Sequence, residues 1–195
     1  MPINSHSAKQ DKYLLSRVAK GDESAFEQLY DSYNIPIYNY LVRLTHKEAI
    51  AENLLQETFL AVWESAGKFR GEAQVKSWIY RISHNKAVTW LRKTNKDEIP
   101  RELPLNEAHL QEKYTESPEG AIIREGQEGN VRRALESLSA KHRAVVELAY
   151  VHEFSYREIA RIVDCPEGTV KSRMNYALRQ LNGIFKQMGT EESNT

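Results

Sequence analysis

The segment from Ser155 to Leu181 constrains the fold of this chain more than any other segment. Ser155 and Glu158 have the spacing of a capping box, which starts a helix. Pro166 ends that helix, because proline has no amide N–H and disfavours helix in the residue before it. An apolar stripe then follows at helical spacing, formed by Val170, Met174, Ala177, Leu178, Leu181, Ile184 and Phe185. Two helices joined by a tight turn predict a helix-turn-helix, whose second helix enters a DNA major groove.

The outward face of this second helix is polar and basic. It carries Lys171, Ser172, Arg173, Asn175, Tyr176 and Arg179. Between Thr169 and Gly189 there are four basic residues and no acidic residue. A solvated helix face is the alternative interpretation, but the absence of acidic side chains favours contact with nucleic acid.

The formal net charge of the chain is zero, yet the charges are unevenly distributed. Residues 66–96 hold 8 basic and 1 acidic side chain, residues 97–130 hold 3 and 9, and residues 131–189 hold 10 and 6. Two basic segments are therefore separated by an acidic one. This pattern indicates two separate contacts with a polyanion.

Composition and motifs exclude several other classes of protein. The single cysteine, Cys165, rules out a disulfide framework and a cysteine-based zinc site within one chain. The six histidines form no HExxH pair, and no P-loop, nucleophile elbow or paired-carboxylate signature is present. We therefore expect neither an enzyme nor a bound cofactor or metal. No apolar run is long enough for membrane insertion, which predicts a cytoplasmic protein.

Hydrophobic periodicity predicts an all-α fold with two small helical domains. Helices near residues 11–20, 22–44, 47–65 and 75–93 form an N-terminal helical bundle over residues 11–96. Residues 97–128 lose this periodicity and carry Pro100, Pro104 and Pro118 together with many acidic side chains, which indicates a flexible acidic linker. Residues 129–188 then form the C-terminal helix-turn-helix domain.

The third predicted helix has more apolar surface than one core needs. Leu60 and Trp63 lie outside its core arc, among the polar residues Glu52, Asn53, Gln56 and Glu57. An apolar pair in a polar surround is typical of the centre of a protein interface. The alternative is that the first helix, or the loop after Ser65, covers the pair.

The fourth predicted helix has a core stripe of Val75, Trp78, Ile79, Ile82 and Thr89. A second face carries Arg81, His84, Asn85, Val88 and Arg92, and the preceding loop adds Lys68 and Arg70. Cations interleaved with amide, imidazole and apolar groups suit single-stranded nucleic acid, whose phosphates and exposed base edges they can contact. A solvated basic face remains the alternative.

Three segments in this order give the chain a family resemblance. They are AENLLQETFLAVW at 51–63, KFRGEAQVKSWIYRISHNKAV at 68–88 and PEGTVKSR at 166–173. Together they resemble bacterial RNA polymerase sigma factors of the small, two-domain extracytoplasmic-function (ECF) class. The resemblance implies a sigma region 2 domain over 11–96 and a sigma region 4 domain over 129–188. It also implies a factor that directs promoter-specific transcription initiation through the −10 and −35 elements.

The resemblance also assigns roles to individual residues and partners. Core polymerase would be bound by Glu52, Gln56, Glu57, Leu60 and Trp63. The −10 element would be contacted by Arg70, Lys76, Arg81, His84, Asn85 and Arg92, and the −35 element by Thr169, Lys171, Ser172, Arg173, Tyr176 and Arg179. The implied partners are promoter DNA, the clamp helices and flap of core RNA polymerase, and an anti-sigma factor that can hold the protein at the inner membrane face.

The chain departs from the family pattern at several positions. The usual acidic run at the start of the polymerase-binding helix is Ile50-Ala51-Glu52-Asn53 here, and Met174-Asn175-Tyr176-Ala177 stands where relatives are often richer in arginine. Thr89 stands where a common aspartate follows the −10 asparagine, and Asp164 stands at the usual glycine of the helix-turn-helix turn. Asp164 can still adopt the left-handed conformation that this turn needs. A stand-alone helix-turn-helix regulator that never joins polymerase is the rival hypothesis. It explains Ser155–Leu181 but leaves Leu60, Trp63 and the basic face of the fourth helix unexplained.

Overall fold

The computed structural model describes residues 7–94 and 134–192, with side chains described as far as residue 185. The first domain contains helices α1 (Ala8–Val18), α2 (Glu23–Thr45), α3 (Glu48–Ser65) and α4 (Val75–Thr94), with a 3₁₀ turn at Ala66–Lys68. The second contains α5 (Ala140–Val146), a π-helical turn (Glu147–Val151), α6 (Tyr156–Ile162) and α7 (Glu167–Glu192). The predicted all-α, two-domain fold is confirmed for these residues. The acidic linker predicted at 97–128 lies outside them.

Local capping explains where the first helices begin. The Ser7 hydroxyl accepts a hydrogen bond from the backbone N–H of Gln10, so α1 starts three residues before the predicted position. Asp22 caps α2 as expected and accepts from the N–H of Ala25 at 3.0 Å. That hydrogen bond, with the neighbouring Arg17 guanidinium, lowers the pKa of Asp22. Each cap satisfies an N–H group that the helix itself leaves unpaired.

The helix-turn-helix forms for the reasons predicted from its sequence. Ser155 and Glu158 make both hydrogen bonds of the capping box at the start of α6. Asp164 adopts a left-handed conformation with φ 52° in the turn between α6 and α7. The two helices bury Ile159, Ile162 and Met174. The turn therefore places α7 across α6 with its polar face outward.

The two domains pack against each other. Helix α4 contacts α6, and α2 contacts α5. The rings of Tyr40 and Tyr80 meet the ring of His152 at centroid distances of 5.7 Å and 4.7 Å, and Tyr80 also contacts Phe154 at 5.0 Å. We call this contact the interdomain interface.

The burial of α4 corrects the predicted core stripe. Val75 and Ile79 are buried as expected, but Trp78 and Ile82 are half-buried and Thr89 is exposed. The additional buried residues are Ser77, Tyr80, Ser83, His84 and Ala87. Helix α4 packs against α1, α2 and α3 and also against α6, so it is covered over a wider arc than a single-stripe pattern predicts.

Candidate functional site

The outward face of α3 is open to solvent. Glu52, Asn53, Gln56 and Glu57 are exposed, and Leu60 is 57% exposed among them. Asn53, Gln56, Glu57 and Leu60 together line a shallow depression in the surface. An exposed leucine beside such a depression provides an apolar anchor within a polar rim, which is the usual composition of a protein interface.

Trp63 differs from its predicted companion Leu60, because it is half-buried. Its ring packs edge-on against Phe26 of α2 at a centroid distance of 5.2 Å. Helix α2 therefore covers part of it. Glu57 is held from a second direction, since the Lys86 ammonium on α4 pairs with its carboxylate at 3.2 Å. The α3 surface thus consists of the exposed Leu60 beside two residues, Glu57 and Trp63, that are held by contacts with other helices.

The candidate −10 residues on and before α4 fall into two groups. Arg70, Arg81, Asn85 and Arg92 are exposed. Lys76 is half-buried, and its ammonium donates to the backbone carbonyl of His152 at 2.8 Å and lies over the Phe154 ring at 4.8 Å. Burial lowers the pKa of Lys76. The Lys76 ammonium therefore binds to groups of the second domain.

His84 is not on the exposed face that the sequence pattern indicates. It is buried, and its Nδ1 shares a hydrogen bond of 2.8 Å with the hydroxyl of Tyr40. Burial, with the nearby positive charges of Arg173 and Arg92, lowers the pKa of His84 to about 4. The ring is neutral at physiological pH, and the hydrogen bond to Tyr40 allows a polar residue at this depth.

The candidate −35 residues lie at the start of α7. Lys171, Ser172, Tyr176 and Arg179 are exposed, while Thr169 and Arg173 are half-buried. The Lys171 ammonium pairs with Glu167 one turn earlier at 3.2 Å. The Arg173 guanidinium lies 3.8 Å from the sulfur of Cys165. All six residues therefore lie in the first half of one helix, as the sequence pattern predicts.

The orientation of Tyr176 depends on a residue that sequence reasoning missed. Its ring stacks on His142 of α5 with a centroid distance of 4.5 Å and an interplanar angle of 27°. His142 is oriented in turn by a 2.9 Å hydrogen bond between its Nδ1 and the Ser139 hydroxyl. Burial lowers the pKa of His142 to about 4, so the stack involves a neutral ring.

The polar contacts of the interdomain interface were also missed. Glu147, only 1% exposed, forms an ion pair with Arg43 on α2. Arg143 donates to the backbone carbonyl of Arg43 at 2.8 Å and contacts the His46 ring, while it also donates to the carbonyls of Leu135, Glu136 and Leu138. The only signal in the sequence is two opposite charges four residues apart within an apolar run, which is also typical of an ordinary surface pair.

A third polar contact lies at the centre of this interface. The Tyr80 hydroxyl shares a hydrogen bond of 2.8 Å with Nδ1 of His152. Burial, with the positive charges of Lys76 and Arg43, lowers the pKa of His152 to about 3. A neutral imidazole is therefore sealed between the two domains.

Two features of the described part of the chain bear on other functions. Within residues 7–94 and 134–192, no three His, Cys, Asp or Glu side chains are grouped so that they could hold a metal ion. Over the same residues, no helix combines the length and the apolar character required to cross a bilayer.

Comparison with known proteins places both domains in one family. The family model for sigma-70 region 2 matches residues 29–97, and the model for sigma-70 region 4 matches residues 128–181. The chain is 33% identical over 171 residues to the RNA polymerase sigma-H factor of Pseudomonas aeruginosa, covering 85% of this chain and 89% of that one. It is 31% identical to the ECF RNA polymerase sigma-E factor of Escherichia coli, covering 84% and 88% of the two chains.

Solved structures agree with this comparison. A sigma factor RpoE bound to the anti-sigma factor NepR, from Bartonella quintana, has 25% identity and a TM-score of 0.61 over 83% of this chain and 96% of that one. CnrH bound to the cytosolic domain of CnrY has a TM-score of 0.66 over 91% and 98% of the two chains, at 19% identity, and supports the fold. The chain therefore belongs to the ECF class of RNA polymerase sigma factors.

Proposed function

We propose that this sigma factor binds core RNA polymerase through the outward face of α3 and reads the two promoter elements through α4 and α7. The observation that carries the proposal is the exposure of Leu60 among polar side chains on α3. An exposed leucine inside a polar rim is stabilised when a partner removes it from water. In this proposal residues 11–96 form the region 2 domain, 97–128 the linker and 129–188 the region 4 domain.

The −10 element is contacted by the exposed residues Arg70, Arg81, Asn85 and Arg92, together with Lys76. Their cations follow the phosphates, while the Asn85 amide can form hydrogen bonds with an unpaired base. His84 shares this helix, but its burial against Tyr40 restricts it to positioning α4. The proposed −10 surface thus consists of three arginines, Lys76 and the Asn85 amide.

The −35 element is contacted as duplex DNA by α7. Arg173 is the candidate for a bidentate contact with guanine, because its planar guanidinium matches the O6 and N7 acceptors of that base. Lys171, Ser172 and the N-terminus of α7 contact phosphates and fix the register of the helix. Thr169, Tyr176 and Arg179 complete the surface.

The protein acts by binding rather than by catalysis, and it works in the cytoplasm, where bacterial polymerase and DNA are found. The related sigma factor RpoE of Bartonella quintana forms a complex with the anti-sigma factor NepR. We infer a partner of the same class here, and a membrane-bound one would hold this protein at the inner membrane face. The flap of the polymerase is the corresponding partner of the second domain.

The test compares Leu60→Ala with Ile35→Ala in binding to purified bacterial core polymerase. Ile35 is an exposed apolar residue on α2, so its removal is a matched control. Loss of an interface anchor of this kind costs about 2 kcal/mol, or roughly 30-fold in affinity. We expect that loss for Leu60→Ala alone, with a parallel loss of run-off transcription from a genomic promoter library. Equal binding by both variants would remove α3 from the interface.

A separate result would replace the proposal as a whole. If the wild-type protein bound a duplex operator tightly but did not bind core polymerase, it would be a stand-alone regulator. The assignments on α3 and α4 would then be withdrawn.

A further inference from the structure

The exposed ring of Tyr176 is held in place by a second aromatic ring. Tyr176 lies on the outward face of α7 and is 51% exposed. The imidazole of His142, on α5, stacks on it at a centroid distance of 4.5 Å and an interplanar angle of 27°. Such stacking is favourable and restricts the rotation of both side chains. The tyrosine therefore presents one ring edge in a fixed direction, although its surroundings are largely solvent.

The other half of this stack is fixed to the second domain by hydrogen bonds. The Ser139 hydroxyl shares a hydrogen bond of 2.9 Å with Nδ1 of His142, which sets the plane of the imidazole. The Ser139 carbonyl accepts from the backbone N–H groups of His142 and Arg143 at 3.0 Å and 2.9 Å. The buried Arg143 guanidinium donates to the carbonyls of Leu135 and Leu138. The first turn of α5 is thus bonded to the segment before it, and α5 packs against α7.

The stacked pair differs chemically from its neighbours on the DNA-facing surface. Lys171, Arg173 and Arg179 carry the positive charges of this face of α7. Tyr176 adds no charge, and burial lowers the pKa of His142 to about 4, so the pair is neutral at physiological pH. A neutral aromatic edge suits an apolar contact better than a phosphate. The apolar group that bases present in the major groove is the C5-methyl of thymine.

The position of Tyr176 along α7 indicates which base pair it meets. Tyr176 follows Arg173, the candidate contact for guanine, by three residues. Three residues rise about 4.5 Å along an α-helix, and successive base pairs lie about 3.4 Å apart. A helix lying along the groove therefore brings the tyrosine ring to the base pair next to that guanine.

We propose that His142 is a positioning residue for −35 recognition, which holds the Tyr176 ring against a thymine methyl group in the base pair next to the one that Arg173 reads. This inference rests on the proposed function of α7. Tyr176 makes the contact, and His142 acts only through it. An unstacked tyrosine would lose rotamer freedom on binding and would discriminate less between bases.

The first arm of the test measures base preference with core polymerase and a promoter library randomised over the −35 element. Tyr176→Ala should lower the preference for thymine about fivefold at one position, because it removes an apolar contact with one methyl group. That position should be adjacent to the one affected by Arg173→Ala, and the pattern at other positions should remain. A uniform loss over all sequences would identify Tyr176 as a phosphate contact and overturn the proposal.

The second arm removes the stack and then restores it. His142→Ala should lower the same thymine preference about threefold, as expected for the loss of an aromatic pair. His142→Phe keeps a ring without its nitrogen atoms and should recover most of the preference. Tyr150→Ala is the matched control, since Tyr150 is a 53% exposed tyrosine of the second domain that lies outside α7. An unchanged preference in His142→Ala, or no recovery in His142→Phe, would overturn the proposal.

The stack itself is measured in the free protein by NMR with ¹³C-labelled tyrosine. The Tyr176 ring resonances are identified by their absence from Tyr176→Ala. They should move in His142→Ala, while His142→Phe should retain a shift from the ring current of its neighbour. Resonances that do not move in His142→Ala would show that the stack does not hold the ring. Partial unfolding of a variant lowers total transcription but leaves the ratio between bases measurable.

The two levels of inference can fail separately. If the wild-type protein shows no base preference in the −35 element, the proposed function of α7 fails. If Arg173→Ala and Tyr176→Ala each change the preference at one position, but neither His142 variant does, only the positioning role fails.

Discussion

The outward faces of α3 and α4 lie in the same domain, but the α3 face is open to solvent and the α4 face contacts the second domain. The α3 face keeps a leucine in water, whereas the α4 face places Lys76 and Arg81 against groups of the second domain. A charged surface is stabilised by polar or oppositely charged partners, whereas an apolar surface is stabilised by apolar ones. The α4 surface is met by carboxylate and carbonyl oxygens, which resemble the phosphate oxygens of DNA in charge or polarity. The α3 surface needs an apolar partner, and the exposed Leu60 shows that the second domain does not supply one.

The most severe change to the covered side is Arg143→Met. The guanidinium is buried and donates to four backbone carbonyls, including that of Arg43 across the interface. Methionine leaves those acceptors without partners, so we expect a loss of about 3 kcal/mol or more in the free energy of unfolding. Urea unfolding followed by circular dichroism measures it. Arg157→Met, on the exposed surface of α6, is the control, and a similar loss there would show that the burial of Arg143 is not the cause.

Acidification should weaken the covered side next. The pKa of His152 is about 3 in the folded protein and about 6.5 in an unfolded chain, so the unfolded state binds more protons between these values. Stability is therefore fully present above pH 6.5 and falls as the pH drops towards 3. By pH 5 the loss from His152 is about 2 kcal/mol, at 1.36 kcal/mol per pH unit.

Unfolding at pH 7.5 and pH 5.0 tests this expectation, and His152→Gln should remove part of the difference. The pKa of His84 is lowered as well, but this ring bonds Tyr40 within the first domain. Comparing His152→Gln with His84→Gln therefore separates the pH dependence of the interface from that of the first domain. An unchanged pH profile in His152→Gln would place the titrating group elsewhere.

A smaller effect is expected for Arg173→Ala, which concerns the second domain alone. If this guanidinium reads a guanine, the variant should lose roughly 1–3 kcal/mol at one promoter position and tolerate other bases there. Transcription from a promoter library randomised over the −35 element gives this profile. Arg157→Ala is again the control, and a uniform loss over all sequences would identify Arg173 as a phosphate contact instead.

The parts of this structure that could be predicted from the sequence are those set by neighbouring residues. The Asp22 cap, the Ser155–Glu158 capping box and the left-handed Asp164 each depend on a few consecutive positions. The apolar periodicity of the helices predicted the all-α fold for the same reason. The exposed position of Leu60 also followed from the single helix that carries it.

The rest depends on contacts between distant segments. His84 has the spacing of an outward residue, but the Tyr40 hydroxyl, 44 positions away in sequence, satisfies its ring and permits burial. Trp63 has the same outward spacing as Leu60, but it is half-buried because the Phe26 ring packs against it. The spacing of Arg143 and Glu147 predicts a local surface pair, whereas both residues contact Arg43 of α2 and are buried. Periodicity finds one buried face for each helix and cannot show that α4 has two.

The left-handed turn at Asp164 has a consequence for how such a protein can change over time. A glycine there would relieve backbone strain, since only glycine adopts this conformation without a steric cost. The same substitution would delete the carboxylate that pairs with Arg81. A lineage that replaced this aspartate by glycine would therefore gain a less strained turn and lose one ion pair between the two domains. Retaining aspartate keeps that charge contact at the cost of a left-handed backbone at a residue with a Cβ atom.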